Sequence, residues 1–126
     1  MTSTYAPALL IARILLSAIF IRGGFNKIMA YSQTQNYMKA NGVPEILLPL
    51  VILTELGGGL LILVGFQTRI VAFLLAGFTL LAGLAFHTKF GDPNQVIYFM
   101  KNLAIAGGFL ALYVSGAGRW SVDRGR

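Results

Sequence analysis

The chain of 126 residues has no cysteine, one histidine (His87) and four acids (Glu45, Glu55, Asp92 and Asp123). Each scarcity excludes some chemistry. Without cysteine there is no disulfide, no thiol–disulfide exchange, no thiolate-held iron–sulfur cluster and no Cys-based zinc site. One histidine rules out two-histidine haem ligation within the chain. No nucleophile elbow, phosphate-cradling glycine loop or paired metal-ligand spacing occurs. The chain therefore carries no self-contained catalytic motif, and Glu55 with His87 alone would make a poor metal site, so no metal is expected. Charge is scarce as well. Charged residues make up 11% of the chain and hydrophobic ones 56%, with a mean hydropathy of +0.74. That is too apolar for a soluble domain of this size and predicts a small integral membrane protein.

The charge that is present is mostly of one sign. Ten lysines and arginines against four acids give a net charge of +6. They are scattered, several within or beside apolar stretches, so anchoring and contact with anionic headgroups explain them better than nucleic acid does. Residues Met1 to Pro7 have no basic region, and no cleavage site follows the first apolar run. That run is expected to be a retained anchor.

Hydropathy predicts four spans, at about 8–28, 46–66, 69–88 and 96–115. All should be helical, because lipid offers no water to unpaired backbone groups and no barrel period is visible. The expected fold class is all-α, an integral membrane four-helix bundle forming a single domain over residues 1–126. Only Gln67 and Thr68 separate the second and third spans, which forces an antiparallel hairpin. The polar-aromatic segment from Met29 to Glu45, with Tyr31 and Tyr37, is expected at the interface, ending in a turn at Asn41–Gly42 and Pro44. His87 to Gln95 reads as a second loop, broken by Gly91, Asp92 and Pro93. Four spans put both termini on one side, together with Arg69, Arg119, Arg124 and Arg126. The opposite loops carry Lys39 and Lys89, so both termini are expected in the cytoplasm. Ala72 with Ala76 and Ala104 with Gly108, each at four-residue spacing, predict close helix packing.

Glu55 stands halfway along the 21-residue apolar stretch Ile46 to Phe66. A carboxylate at that depth is costly, so it should face the bundle interior and find a cation or a hydrogen-bond partner. By helical rise, Arg13 lies ~8 Å below the terminal side, Arg22 ~21 Å below it and Glu55 ~16 Å from it. Lys27, His87, Lys101 and Asn102 all fall near the opposite, loop side. The loop-side half thus gathers Arg22, Asn26, Lys27, Glu55, His87 and Asn102, which points to a polar pocket there. Arg13, Ser17, Phe20, Gly24 and Lys27 share one helix face, and Arg22 with Asn26 the other. The first face is expected inward. Glu55 is expected to pair with Arg13 or Lys27, and Asn102 is a further candidate partner for it. The candidate ligand-binding residues are therefore Glu55, Lys27, Asn102, His87 and Arg13.

Three runs carry a family resemblance: RILLSAIFIRGGFNKI (Arg13 to Ile28), TELGGGLLILVGFQTRIVA (Thr54 to Ala72) and FMKNLAIAGGFLALYVSGAGRWSVD (Phe99 to Asp123). Together the chain resembles the DoxX family of small four-helix bacterial membrane proteins. The resemblance rests on Arg13, Gly24, Lys27, Glu55, Gly59, Gly65 and Arg69, and near the end on Lys101–Asn102, Gly107–Gly108, Gly116, Gly118, Ser121 and Asp123. It implies a bacterial inner-membrane location, and some relatives are similar to small subunits of a thiosulfate–quinone oxidoreductase. The leading expectation is a quinone- or lipid-binding accessory subunit of a membrane redox system, with no intrinsic cofactor. The partners would be the bilayer, a redox protein or a second copy. Two alternatives stand beside it: a non-enzymatic assembly or lipid-organising factor with a structural Glu–Arg or Glu–Lys pair, and a small-solute transporter.

Overall fold

The computed structural model describes residues 5–124. Residues 1–4, which precede the expected anchor, and residues 125–126, including Arg126, lie outside the described residues. The described chain is helical and without strands: α1 (Ala6–Met29), α2 (Tyr31–Ala40), α3 (Glu45–Val64), α4 (Thr68–Phe86) and α5 (Pro93–Ser115). Of these, α1, α3, α4 and α5 are long and apolar enough to cross a membrane. The all-α, four-span architecture read from hydropathy is what the chain forms.

Two connecting segments differ from expectation. Pro93, read as a loop breaker, is the first residue of α5. The Asp92 side chain accepts the Asn94 backbone N–H at 2.9 Å. Proline is favoured in this first turn, where its missing N–H would have had no helical partner. Asp92 and Pro93 are thus start signals of a helix. The segment after Met29 is also more ordered than a bare interfacial stretch: Tyr31 to Ala40 form the ten-residue helix α2. Its Met38 is buried, Tyr37 stacks on Phe86 of α4 with ring centroids 5.3 Å apart, and Lys39 pairs with Glu45 at 3.1 Å.

The spans pack as two antiparallel pairs, α1 with α3 and α4 with α5. Between the pairs lies a core that includes Phe20, Ile62, Val71, Ala72, Leu75, Ala76, Phe109 and Leu112. Ala72 and Ala76 are buried as expected. Ala104 is exposed instead, because the inward face of α5 runs through Ala106, Phe109 and Leu112. Gly108 still does its expected work, since a Cβ there would meet Leu16 at 3.1 Å.

The residues after α5 fold back over the terminal side. The Val122 and Asp123 N–H groups donate to the carbonyls of Val64 and Gly65, at 3.0 and 2.9 Å. Gly65 ends α3 in the left-handed region (φ 75°), where a side chain would be strained and would strike Arg13 and Ser121. The Asp123 carboxylate accepts the Gln67 N–H at 2.9 Å and the Thr68 N–H at 2.8 Å. It therefore caps the N-terminus of α4 from 55 residues away in sequence. Arg69 answers at the neighbouring helix end, donating to the Val114 carbonyl at 2.8 Å and covering the last carbonyls of α5. Asp123→Ala removes the cap and should lower stability by about 1–2 kcal/mol. A thermal unfolding shift in detergent checks this, with Asp123→Asn expected to keep only one of the two bonds, because its amide nitrogen cannot accept an N–H.

Candidate functional site

The site begins with a defect in α3. Residues Leu53–Gly57 form a π turn within a span that opens in a 3₁₀ turn (Glu45–Leu47) and is α-helical elsewhere. Such a turn holds one extra residue, and the run Thr-Glu-Leu-Gly-Gly-Gly supplies a flexible backbone for it. Glu55 sits at its centre and is 7% exposed. Its place is set by a close crossing with α1. A Cβ on Gly24 would lie 2.9 Å from Leu56 Cβ and 3.0 Å from the Leu56 backbone nitrogen. A Cβ on Gly59 would lie 2.9 Å from Ile21 Cγ1 and 3.2 Å from the Ile21 nitrogen. Each helix thus offers glycine where the other's backbone arrives. At this contact the Glu55 carboxylate lies so near Gly23 that a Cβ there would fall 2.5 Å from Oε2.

The face predictions for α1 hold: Arg13, Ser17, Phe20 and Gly24 are buried, and Arg22 and Asn26 are exposed. Of the two candidate cations for Glu55, the structure selects Lys27, whose Nζ is 2.8 Å from Oε1. Arg13 is fully buried elsewhere, toward the terminal side. Its Nη1 donates to the Leu63 carbonyl at 2.8 Å and to that of Ile62 at 3.4 Å, and its Nη2 donates to the Trp120 carbonyl. Two of those carbonyls belong to the last turn of α3, where helical donors run out; that of Ile62 also accepts the Gly65 N–H at 3.2 Å. Arg13 therefore closes a helix end and ties the tail to it.

Lys27 and Glu55 line a cavity of about 560 Å³ between the two helix pairs, on the loop side. Asn102 and His87 line it too, so four of the five residues singled out from sequence meet there. Asn102 does not bond Glu55; its Nδ2 donates to the Thr79 carbonyl at 3.1 Å, and Gly83 makes room for its Cβ at 3.3 Å. His87 sits at the loop end, Nδ1 3.1 Å from Gln95 Oε1 and its ring beside Tyr98. The rest of the wall is mostly apolar, with Phe20, Phe78 and Ile105 deep, and Tyr37 and Met38 of α2 toward the loops. The sequence does not single out Thr54 and Thr79, and it places the segment that forms α2 only at the interface. The two threonines bond their own helices, to Leu50 and Leu75 carbonyls, and nothing in the sequence pattern sets them apart. The size is that of a small-molecule site, with an apolar body and a few convergent polar groups. Among the described residues no group of acids and histidine could hold a metal ion.

The resemblance residues thus divide between the two ends of the molecule. Arg13, Gly65, Arg69 and Asp123 build the terminal-side closure, whereas Gly24, Lys27, Glu55, Gly59 and Asn102 build the cavity and the crossing beneath it. Comparison with known proteins agrees with that resemblance. The family model described as DoxX matches residues 8–88. The chain is 54% identical over 115 residues to "Inner membrane protein YqjF" of Escherichia coli (strain K12), covering 91% of this chain and 88% of that one. It is 41% identical over 124 residues to "Inner membrane protein YphA" of the same organism, covering 92% and 88%. No solved structure matches the chain.

Proposed function

The chain belongs to the DoxX family and is a small inner-membrane protein, and we propose that it binds an amphiphile in the loop-side cavity and serves a membrane redox system as an accessory subunit. One observation carries the binding reading. The Lys27–Glu55 pair, its carboxylate buried, and Asn102, from three different spans, converge on one largely apolar cavity of ligand size. A quinone or lipid carbonyl has acceptors and no donors, and Lys27 and Asn102 offer N–H groups to it. The chain has no group of its own that carries electrons, so a redox role requires a partner protein. Cytoplasmic termini belong to the same proposal, supported by Arg69, Arg119 and Arg124 on the terminal side.

The test is native mass spectrometry of protein purified in mild detergent, with released small molecules identified. The comparison variant is Lys27→Met with Glu55→Gln. Removing both charges together leaves neither one buried and unpaired, so the fold should persist. The expected outcome is one dominant amphiphile in the natural protein and its loss in the double variant. Bulk lipid in both would remove the reading.

A second reading has its own support. The ion pair sits directly over the glycine crossing of α1 and α3, so it also fits a device that holds their registration. On that reading the protein is a non-enzymatic membrane factor, and Glu55→Gln lowers stability without changing what co-purifies.

A further inference from the structure

The cavity is covered by α2 on the loop side and flanked laterally by exposed apolar residues of α3 and α4. On the loop side α2 lies over it, held to α4 by the Tyr37–Phe86 stack, with Met38 only 3% exposed underneath. The lateral side has no such cover. The last turns of α3, Gly58–Val64, pack on both α1 and α4 near the terminal side, whereas its loop-side turns, Leu48–Ile52, pack mainly on α1. Leu50 of α3 and Leu81 of α4 both line the cavity, yet they are 60% and 68% exposed on the surface that faces lipid.

Resting on the reading that this cavity holds a ligand, we infer that the ligand arrives sideways from the bilayer, through the gap between α3 and α4, and that it carries a polar head without net charge. Charge complementarity selects the head. Lys27 and Glu55 neutralise each other at 2.8 Å, and Arg13 and Arg22 point elsewhere. A pair already satisfied still presents hydrogen-bonding atoms, but it offers no surplus charge. Glu55 lies ten residues from the loop-side end of α3, roughly 15 Å down. A phosphate brought to that depth would arrive uncompensated and largely desolvated. An uncharged head with carbonyl or hydroxyl oxygens pays much less, and its chain remains among Leu50, Leu81 and the surrounding hydrocarbon.

The test places one reporter inside the cavity. Trp120→Phe removes the only tryptophan, and Phe78→Trp puts one on the inner wall; Ile105→Trp is the second reporter if the first does not fold. The protein is reconstituted in phosphatidylcholine vesicles doped with a brominated monoacylglycerol or, at equal bromine density, a brominated phosphatidylglycerol. The expected result is loss of tryptophan emission with the monoacylglycerol, less loss with the anionic lipid and none with aqueous iodide. Leu50→Phe with Leu81→Phe should narrow the gap and restore emission. Quenching by iodide, equal quenching by both lipids, or quenching that survives the two phenylalanines would overturn the inference. This measurement reads access without any resident ligand. A cavity that admits the probe but co-purifies empty therefore counts against the binding proposal alone, and a ligand found without quenching counts against the route alone.

Discussion

Arg13→Met should be the most damaging single substitution in this chain, lowering stability by about 3–5 kcal/mol. Arg13 is 0% exposed and donates to carbonyls of Ile62, Leu63 and Trp120. Methionine fills similar space but donates nothing. The end of α3 would then lose its only side-chain donor from α1, and the tail its link to that helix end. Leaving buried acceptors unmade costs more than the net value of the bonds, which is why the effect exceeds that of a surface arginine. Arg13→Lys should recover only part of the loss, because an ammonium cannot fork to carbonyls on two segments as a planar guanidinium does. Thermal or denaturant unfolding in detergent measures the change. A loss under about 1 kcal/mol would show that the closure holds without this residue. Arg13 lies away from the cavity, so whatever fraction folds in Arg13→Lys should keep its bound amphiphile.

The second large effect is expected at Gly24→Val, about 3 kcal/mol of destabilisation together with loss of the bound amphiphile. The new side chain meets Leu56 Cβ at 2.9 Å and Leu56 backbone nitrogen at 3.0 Å, and backbone cannot swing aside as a side-chain tip can. The α1 and α3 axes must separate, which draws Lys27 from Glu55 and reshapes the inner wall. Gly24→Ala should do the same in milder form. Co-purified ligand and melting temperature, measured on one preparation, test both parts. Natural-protein values for the valine variant would mean that the crossing is looser than the glycine contacts require.

Much of the site could be read from residue types. A lone acid in an apolar span must be met inside the bundle, and the face of α1 bearing Lys27 turns inward as its spacing requires. What the spacing could not supply was the partner. Helical rise puts Glu55 between Arg13 and Arg22 in depth and well short of Lys27. The actual pairing follows from an offset set by the Gly24–Leu56 crossing and from the π turn, neither of which leaves a periodic signal. The role of Arg13 was hidden for another reason. Its partners are backbone carbonyls, which every residue has, so no side-chain pattern marks them.

Membrane location, four helical spans, the lack of any cysteine thiol, and the need to partner Glu55 all follow from composition and hydropathy. These are properties of transfer between water and lipid, and they add up residue by residue whatever the contacts. The choice of Lys27 over Arg13, the capping of α4 by Asp123, the placing of α2 over the cavity and the gap between α3 and α4 came only with packing. Each depends on how far one helix slides or turns against another. That is settled by contacts between residues distant in sequence, such as Gly24 with Leu56, and no local pattern encodes it.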